Sequence, residues 1–377
     1  MSDTYGMSDT YDISDTNGAN STMIAFTGVS KRYGSVIAVN NVSLNVQRGR
    51  LLTLLGPSGC GKTTILRMIA GLELPSAGTI RIDGQDVTTI PAHERNVSMV
   101  FQSYALFPHM SVLENVCYGL SVRGIGKTQA QERAQQAMAT VGLEGYGARL
   151  PSELSGGQQQ RVAVARAIVL EPAVLLFDEP LSNLDSRLRR QMRDDIRALQ
   201  QRLALTVVYV THDQGEAMAV SDQIIVMNNA TIAQQGSPHQ LYREPASAFV
   251  ASFMGESNRL RARLRRIDER DGEFDFAGLR VVAPHRGAAD GEIDVAVRPE
   301  AITLSEAIVT AAATGAQYST LTGTVRKSAY LGASTEYVVA SPVGECFVVA
   351  PAADRVFEVG DSVVLSIRTH GLIVLAL

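Results

Sequence analysis

Gly56-Pro57-Ser58-Gly59-Cys60-Gly61-Lys62-Thr63 restricts the fold more than any other stretch, because of what stands on either side of it. Before it runs Leu51-Leu52-Thr53-Leu54-Leu55, apolar and short like a buried strand. After it, Ile65, Leu66, Met68, Ile69 and Leu72 recur at helical spacing. A strand, a glycine loop and a helix N-terminus in that order form a phosphate cradle. The glycines let backbone N–H groups turn inward, Lys62 reaches the β- and γ-phosphates, and the Thr63 hydroxyl, with Thr64 beside it, is placed to hold Mg²⁺. A nucleoside triphosphate is the expected ligand.

Two further apolar runs, Val174-Leu175-Leu176-Phe177 and Thr206-Val207-Val208-Tyr209-Val210-Thr211, are short, β-prone and separated by helical sequence, as buried parallel strands require. Between them Leu188, Met192, Ile196, Leu199 and Leu203 recur opposite a charged face, which predicts a crossover helix. Upstream, Ile24-Ala25-Phe26, Val42 to Val46 and Thr79 to Gly84 alternate as half-buried strands do. Residues 104–165 turn helical in character, most clearly from Thr128 to Val141. The expectation is an α/β unit over residues 23–256. Residues 1–22 repeat Met-Ser-Asp-Thr-Tyr in a polar setting and read as a disordered tail.

Beyond residue 257 the texture becomes that of a small all-β domain, with short β-rich segments at Ile293 to Val297, Thr335 to Val339, Phe347 to Val349, Val363 to Ile367 and Leu372 to Leu377. The run Arg259-Leu260-Arg261-Ala262-Arg263-Leu264-Arg265 could suggest an anionic ligand, but period-two alternation places its charges on one solvated strand face.

A triphosphate site that turns over needs a carboxylate on the metal and a group that directs water at the γ-phosphate. Asp178 and Glu179, at the end of an apolar strand run, supply the two. A second helix N-terminus is expected at Ser155-Gly156-Gly157-Gln158, opening a helix from Val162 to Leu170 and favouring negative charge.

In this order and at this spacing, Gly56 to Thr63, Gln102, Leu154 to Gln158, Asp178-Glu179-Pro180, Ser182 to Asp185 and His212 resemble the nucleotide-binding subunits of ATP-binding-cassette (ABC) transporters. The resemblance implies a P-loop NTPase with a RecA-like core, an antiparallel β subdomain and a helical subdomain. It also implies that Tyr33 stacks on adenine, that Gln102 meets Mg²⁺ or the attacking water, that His212 contacts the γ-phosphate and that Asp185 helps to join two protomers. Two copies would pack head to tail, each ATP held by Gly56 to Thr63 of one and Ser155 to Gln158 of the other. The segment Ser103 to Val112 is similar to the family's groove for a permease coupling helix. Val297-Arg298-Pro299-Glu300, Gly323-Thr324-Val325 and Tyr330-Leu331-Gly332 resemble the OB-like regulatory domain of importers, and the junction Gly255 to Asn258 leans towards the ferric iron, polyamine or 2-aminoethylphosphonate branch. The implied partners are a second copy, two permease subunits and, indirectly, a solute-binding protein.

Composition supports this setting. The net charge of −4 and pI near 5.9 argue against nucleic acid as the main partner, and therefore against a soluble cassette ATPase acting on ribosome or DNA. Sustained heptads and a second set of motifs, which such a protein would show, are missing. Cys60, Cys117 and Cys346 lack metal-ligand spacing, and no apolar run approaches the roughly 18 to 20 residues of a membrane span. A peripheral location on the cytoplasmic face of the inner membrane follows as an expectation. A third reading, compatible with the first, makes the β-domain a sensor of a small ligand.

Overall fold

A computed structural model describes residues 22–306, 321–352 and 356–375. The repeat-bearing tail lies outside the described residues, except for Thr22, which already opens the first strand. The chain then runs β1 (Thr22–Tyr33), β2 (Val36–Gln47), β3 (Leu51–Leu55), α1 (Lys62–Ala70), β4 (Ala77–Ile82), β5 (Gln85–Asp86), β6 (Val97–Val100), α2 (Val112–Val122), α3 (Lys127–Thr140), α4 (Gly156–Ile168), β7 (Val174–Asp178), α5 (Ser186–Leu203), β8 (Thr206–Thr211), α6 (Gln214–Val220), β9 (Gln223–Asn228), β10 (Thr231–Gly236), α7 (Pro238–Arg243) and α8 (Ala248–Phe253).

The apolar runs become the inner strands of one sheet, ordered β10-β9-β3-β8-β7-β6. β9, β3, β8, β7 and β6 are parallel neighbours, and β10 closes one edge antiparallel. All residues of β3 and β8 are buried, because layers cover both faces of a parallel sheet and leave no side for polar alternation. On one face α1 joins the antiparallel sheet β2-β1-β4-β5 in a shared core, with Phe26, Val42 and Leu44 in the same cluster as Ile65, Leu66 and Met68. On the other face α2, α3, α4 and α5 share a core with Phe177 and Tyr209. The crossover helix is α5, which buries Met192, Ile196 and Leu199 and gives its charged residues to solvent.

Ten strands follow: β11 (Asn258–Arg266), β12 (Asp271–Phe276), β13 (Leu279–Pro284), β14 (Gly291–Val297), β15 (Ile302–Glu306), β16 (Leu321–Tyr330), β17 (Ser334–Ser341), β18 (Gly344–Pro351), β19 (Ser362–Ile367) and β20 (Leu372–Val374). They form two antiparallel five-stranded sheets, β13-β12-β11-β14-β20 and β15-β19-β16-β17-β18, around one core that includes Phe274, Phe276, Val325, Tyr337 and Val348. The α/β unit followed by an all-β, OB-like unit is the fold expected from the sequence. In β11, Leu260, Ala262 and Leu264 point inward while the arginines point out. Arg259 pairs with Asp294 at 2.6 Å and Arg265 with Glu273 at 3.2 Å, so much of the run's charge is met by neighbouring strands.

Arg298 fixes the all-β part to the end of the α/β part. Its guanidinium is almost fully buried and donates to the carbonyls of Ala251 (2.8 Å), Gly255 (2.8 Å) and Tyr242 (2.9 Å). It also lies 4.1 Å from the centre of the Tyr242 ring. Burial and the Glu300 carboxylate, to which the Tyr242 hydroxyl donates, push that phenol up to about 12. Among the described residues no helix is long and apolar enough to cross a membrane.

Candidate functional site

The loop between β3 and α1 folds as a tight cradle because glycine is required at its closest approaches. Gly61 has φ 105°, and a Cβ there would lie 2.3 Å from the Ala38 carbonyl oxygen. At Gly56 an added Cβ would stand 2.5 Å from the Met227 carbonyl oxygen. Gly61 caps α1 without any side-chain hydrogen bond, which leaves the first N–H groups of the helix to a ligand. Lys62 is 5% exposed, and its ammonium donates to the carbonyls of Gly56 (2.8 Å) and Pro57 (2.9 Å). Cys60, buried beside it, is a free thiol. Pro57, Ser58 and Gly59 form the exposed rim, and Thr64 is the next residue of α1.

Parallel pairing of β7 and β8 brings the acidic pair to this loop. The Thr63 hydroxyl donates to Asp178 Oδ1 at 3.3 Å, so the two oxygens expected at a metal are neighbours. Burial pushes the Asp178 carboxyl up, against the Thr63 hydrogen bond and the nearby Arg67, which pull it down. Two oxygen donors of this kind suit a hard divalent cation. Glu179 sits at φ 46°, a strained conformation for a residue with a side chain, and its N–H donates to the Val210 carbonyl at 3.0 Å. Its carboxylate lies 3.2 Å from His212 Nδ1.

Gln102 reaches the same place indirectly. Its Nε2 donates to the Ser182 hydroxyl (3.1 Å), which donates to the Glu179 carbonyl (3.0 Å), and Asn183 donates to the Gln102 carbonyl (3.1 Å). Hydrogen bonds thus join Thr63 to Asp178, and Glu179 to His212 directly and to Gln102 through Ser182, while the two groups meet at the Asp178–Glu179 peptide bond. Tyr33, at the end of β1, is 45% exposed, and the Lys31 ammonium lies 4.8 Å from its ring centre.

The corner at Ser155 stands apart. The N-terminus lies at the Ser155 corner as expected, with Ser155 as its N-cap, but the helix itself begins at Gly156 and not at Val162. The Ser155 hydroxyl accepts from Gln158 N–H (3.4 Å) while the Gln158 side chain accepts from Ser155 N–H (2.9 Å). Gly157 is buried against Leu188 of α5. Among the described residues no hydrogen bond joins Ser155, Gly156, Gly157 or Gln158 to the loop at 56–63. Asp185 caps α5 by accepting from the N–H groups of Arg187 (3.0 Å) and Leu188 (2.9 Å).

Sequence reasoning passed over several residues that the fold recruits. Asn115, fully buried, donates to the carbonyls of Phe107, Met110 and Ser111 and accepts from Phe107 N–H. Arg166 donates to the carbonyls of Tyr104 (2.8 Å) and Ala105 (2.7 Å), and its guanidinium lies 5.7 Å from the centre of the Phe107 ring. The segment at 103–112 is thus pinned, and next to it lies a groove of about 520 Å³ lined by Met110, Leu113, Cys117, Tyr118 and Ile125. An arginine inside the Ala- and Val-rich α4 was the available signal for Arg166. Glu216 is also buried, accepting from the hydroxyls of Thr211 (2.8 Å) and Tyr209 (3.1 Å), and burial pushes its carboxyl up.

This geometry defines a nucleotide-hydrolysing P-loop ATPase. The family model described as "ABC transporter" matches residues 39–182, and that of the TOBE domain matches residues 295–375. The chain is 53% identical over 352 residues to the Fe(3+) ions import ATP-binding protein FbpC of Brucella abortus (strain 2308), covering 93% of this chain and 97% of that one. It is 48% identical to the protein of the same name from Escherichia coli (strain K12), covering 94% and 97%. Among solved structures, the dimeric bacterial ABC transporter cassette MJ0796 aligns with a TM-score of 0.52 at 31% identity, covering 57% of this chain and 98% of that one. CbiO1 from Clostridium perfringens, part of the ABC transporter complex cbiONQ, aligns with a TM-score of 0.56 at 27% identity, covering 59% and 92%. The chain belongs to the ATP-binding subunits of ABC importers, in the branch that carries a C-terminal TOBE domain, and it is an ATP-hydrolysing enzyme.

Proposed function

We propose that the chain powers import of ferric iron, working as a head-to-tail homodimer beneath two permease subunits that receive the ion from a solute-binding protein. Relatives at 53% and 48% identity carry that ion in their names, which supports ferric iron over polyamine or 2-aminoethylphosphonate. Residues 23–256 are the ATPase unit and residues 257–377 the regulatory one, held peripherally on the cytoplasmic face of the inner membrane.

In this reading Tyr33 stacks on adenine, and the N–H groups of residues 56–64, with Lys62, bind the phosphates. Thr63 and Asp178, with Gln102 near, hold Mg²⁺, which when bound neutralises charge on the β- and γ-phosphate oxygens. Glu179 accepts the proton of the attacking water, and His212 orients Glu179 and touches the γ-phosphate. Ser155 to Gln158 of the second copy close the pocket, with Asp185 at the dimer seam. Loss of the γ-phosphate reopens the dimer, and the bound triphosphate selects the closed state. The groove beside residues 103–112 takes the permease's coupling segment.

The observation that carries the proposal is the placement of the groups: Thr63, Asp178, Glu179 and His212 gather by the N-terminus of α1, while the Ser155 corner at the N-terminus of α4 stands apart from them on the same chain. Uptake of radiolabelled ferric iron by cells lacking the gene, complemented with wild type or Glu179→Gln, tests the transport assignment. Iron uptake restored by wild type alone is expected. Uptake indifferent to both, with polyamine or phosphonate uptake restored instead, overturns the choice of solute.

A further inference from the structure

His212 is not held by its own packing. Its side chain is 59% exposed, and its polar contact among the described residues is with Glu179. What fixes it is the backbone on either side. Thr211 gives its hydroxyl proton to Glu216 and accepts from Asp213 N–H at 3.0 Å, and Asp213 Oδ1 accepts from Glu216 N–H at 2.8 Å. Glu216 thus ties down both neighbours of the histidine.

Arg189, one turn into α5, connects this arrangement to the Asp185 turn. Its N–H donates to the Asp185 carbonyl (2.8 Å) and Nη2 donates to the Leu184 carbonyl (3.1 Å). Towards the histidine, Nη1 lies 3.7 Å from the Asp213 carboxylate and Nε 3.8 Å from that of Glu216. Nε is buried and makes no hydrogen bond, so a shift of about 1 Å towards Glu216 would complete one. Arg189, Asp213, Glu216, Glu179, Ser182 and His212 line a single polar cavity of about 40 Å³, room for about one water. There is little slack between α5 and the histidine.

We propose that Arg189 and Glu216 are positioning residues that transmit the placement of the Asp185 turn to His212 through Thr211 and Asp213. The inference rests on the role given to His212 above. When the Asp185 turn shifts, the Arg189 guanidinium moves relative to the two carboxylates, and the backbone carrying His212 follows.

The test is steady-state ATP hydrolysis by the full chain. Arg189→Ala and Glu216→Gln should each lower kcat about tenfold or more while KM for ATP stays within about twofold, and the double variant should be no slower than the poorer single one. Arg189→Lys, keeping the charge, should recover part of the loss. Single variants with kcat within twofold of wild type, strictly additive losses, or a kcat loss matched by a KM rise and a lower Tm would overturn the proposal. Should Glu216→Gln not fold, Arg189→Ala, at a partly exposed position, together with Arg189→Lys decides the question. His212→Ala separates the two levels. Wild-type kcat in that variant removes the site reading and this inference with it, whereas an inactive His212→Ala beside a fully active Arg189→Ala removes this inference alone.

Discussion

The helices α1 and α4 both open at a glycine-bearing turn, yet their N-termini are equipped in opposite ways. At α1 the cap is Gly61, which offers no side chain to the first N–H groups, and Lys62, Thr63, Asp178 and Glu179 crowd around the opening. At α4 a complete capping box already occupies two backbone donors, and the polar neighbour of Gln158 is a Tyr146 hydroxyl at 3.2 Å. One N-terminus is left open for a ligand and surrounded by catalytic chemistry. The other is self-satisfied and rigid, suited to completing a pocket that another copy supplies. The difference fits the proposed division of one pocket between two copies.

Four substitutions probe this contrast, in descending order of effect. Glu179→Gln should lower kcat roughly a thousandfold, as loss of a general base does, while ATP binding persists and size-exclusion chromatography in ATP shows a lasting dimer. Near-normal turnover would remove Glu179 from its role. Ser155→Glu puts a like charge against the partner's γ-phosphate, and turnover should fall about a hundredfold with single-copy ATP affinity within about threefold. Should affinity collapse instead, the corner would belong to its own chain's pocket. Gly61→Ala, with its Cβ forced against Ala38, should cost about 2 kcal/mol in urea unfolding and weaken ATP binding in parallel. Ser155→Ala removes the side-chain cap but keeps the backbone of the corner that closes the proposed pocket, and should cost about 1 kcal/mol in stability. If that small change abolished ATP hydrolysis, the hydroxyl would have a role beyond capping.

The grouping around α1 was legible in sequence because the glycine loop and the acidic pair Asp178-Glu179 each directly follow an apolar strand, and parallel strands bury on both faces and so announce themselves. At α4 the N-terminus was legible at the Ser155 corner, but the helical range was begun six residues late, at Val162 in place of Gly156, because Gly156 to Arg161 carry no apolar period. The signal present was the serine with glutamine three residues later. Arg189, Glu216 and Asn115 were not legible, and Arg298 was noted only within a motif, since each acts on backbone groups or side chains brought near by the fold. The arginine run of β11 was read correctly as a solvated face, because strand alternation alone decides it.

The composite pocket can be tested most directly by mixing two disabled chains. Lys62→Ala breaks the cradle, Ser155→Glu breaks the corner, and each variant alone should hydrolyse almost no ATP. In a mixed dimer one pocket inherits both defects and the other inherits neither, so an equimolar mixture should regain ATP hydrolysis well above the sum of its parts. A mixture no more active than its separate components would contradict a site shared between two copies.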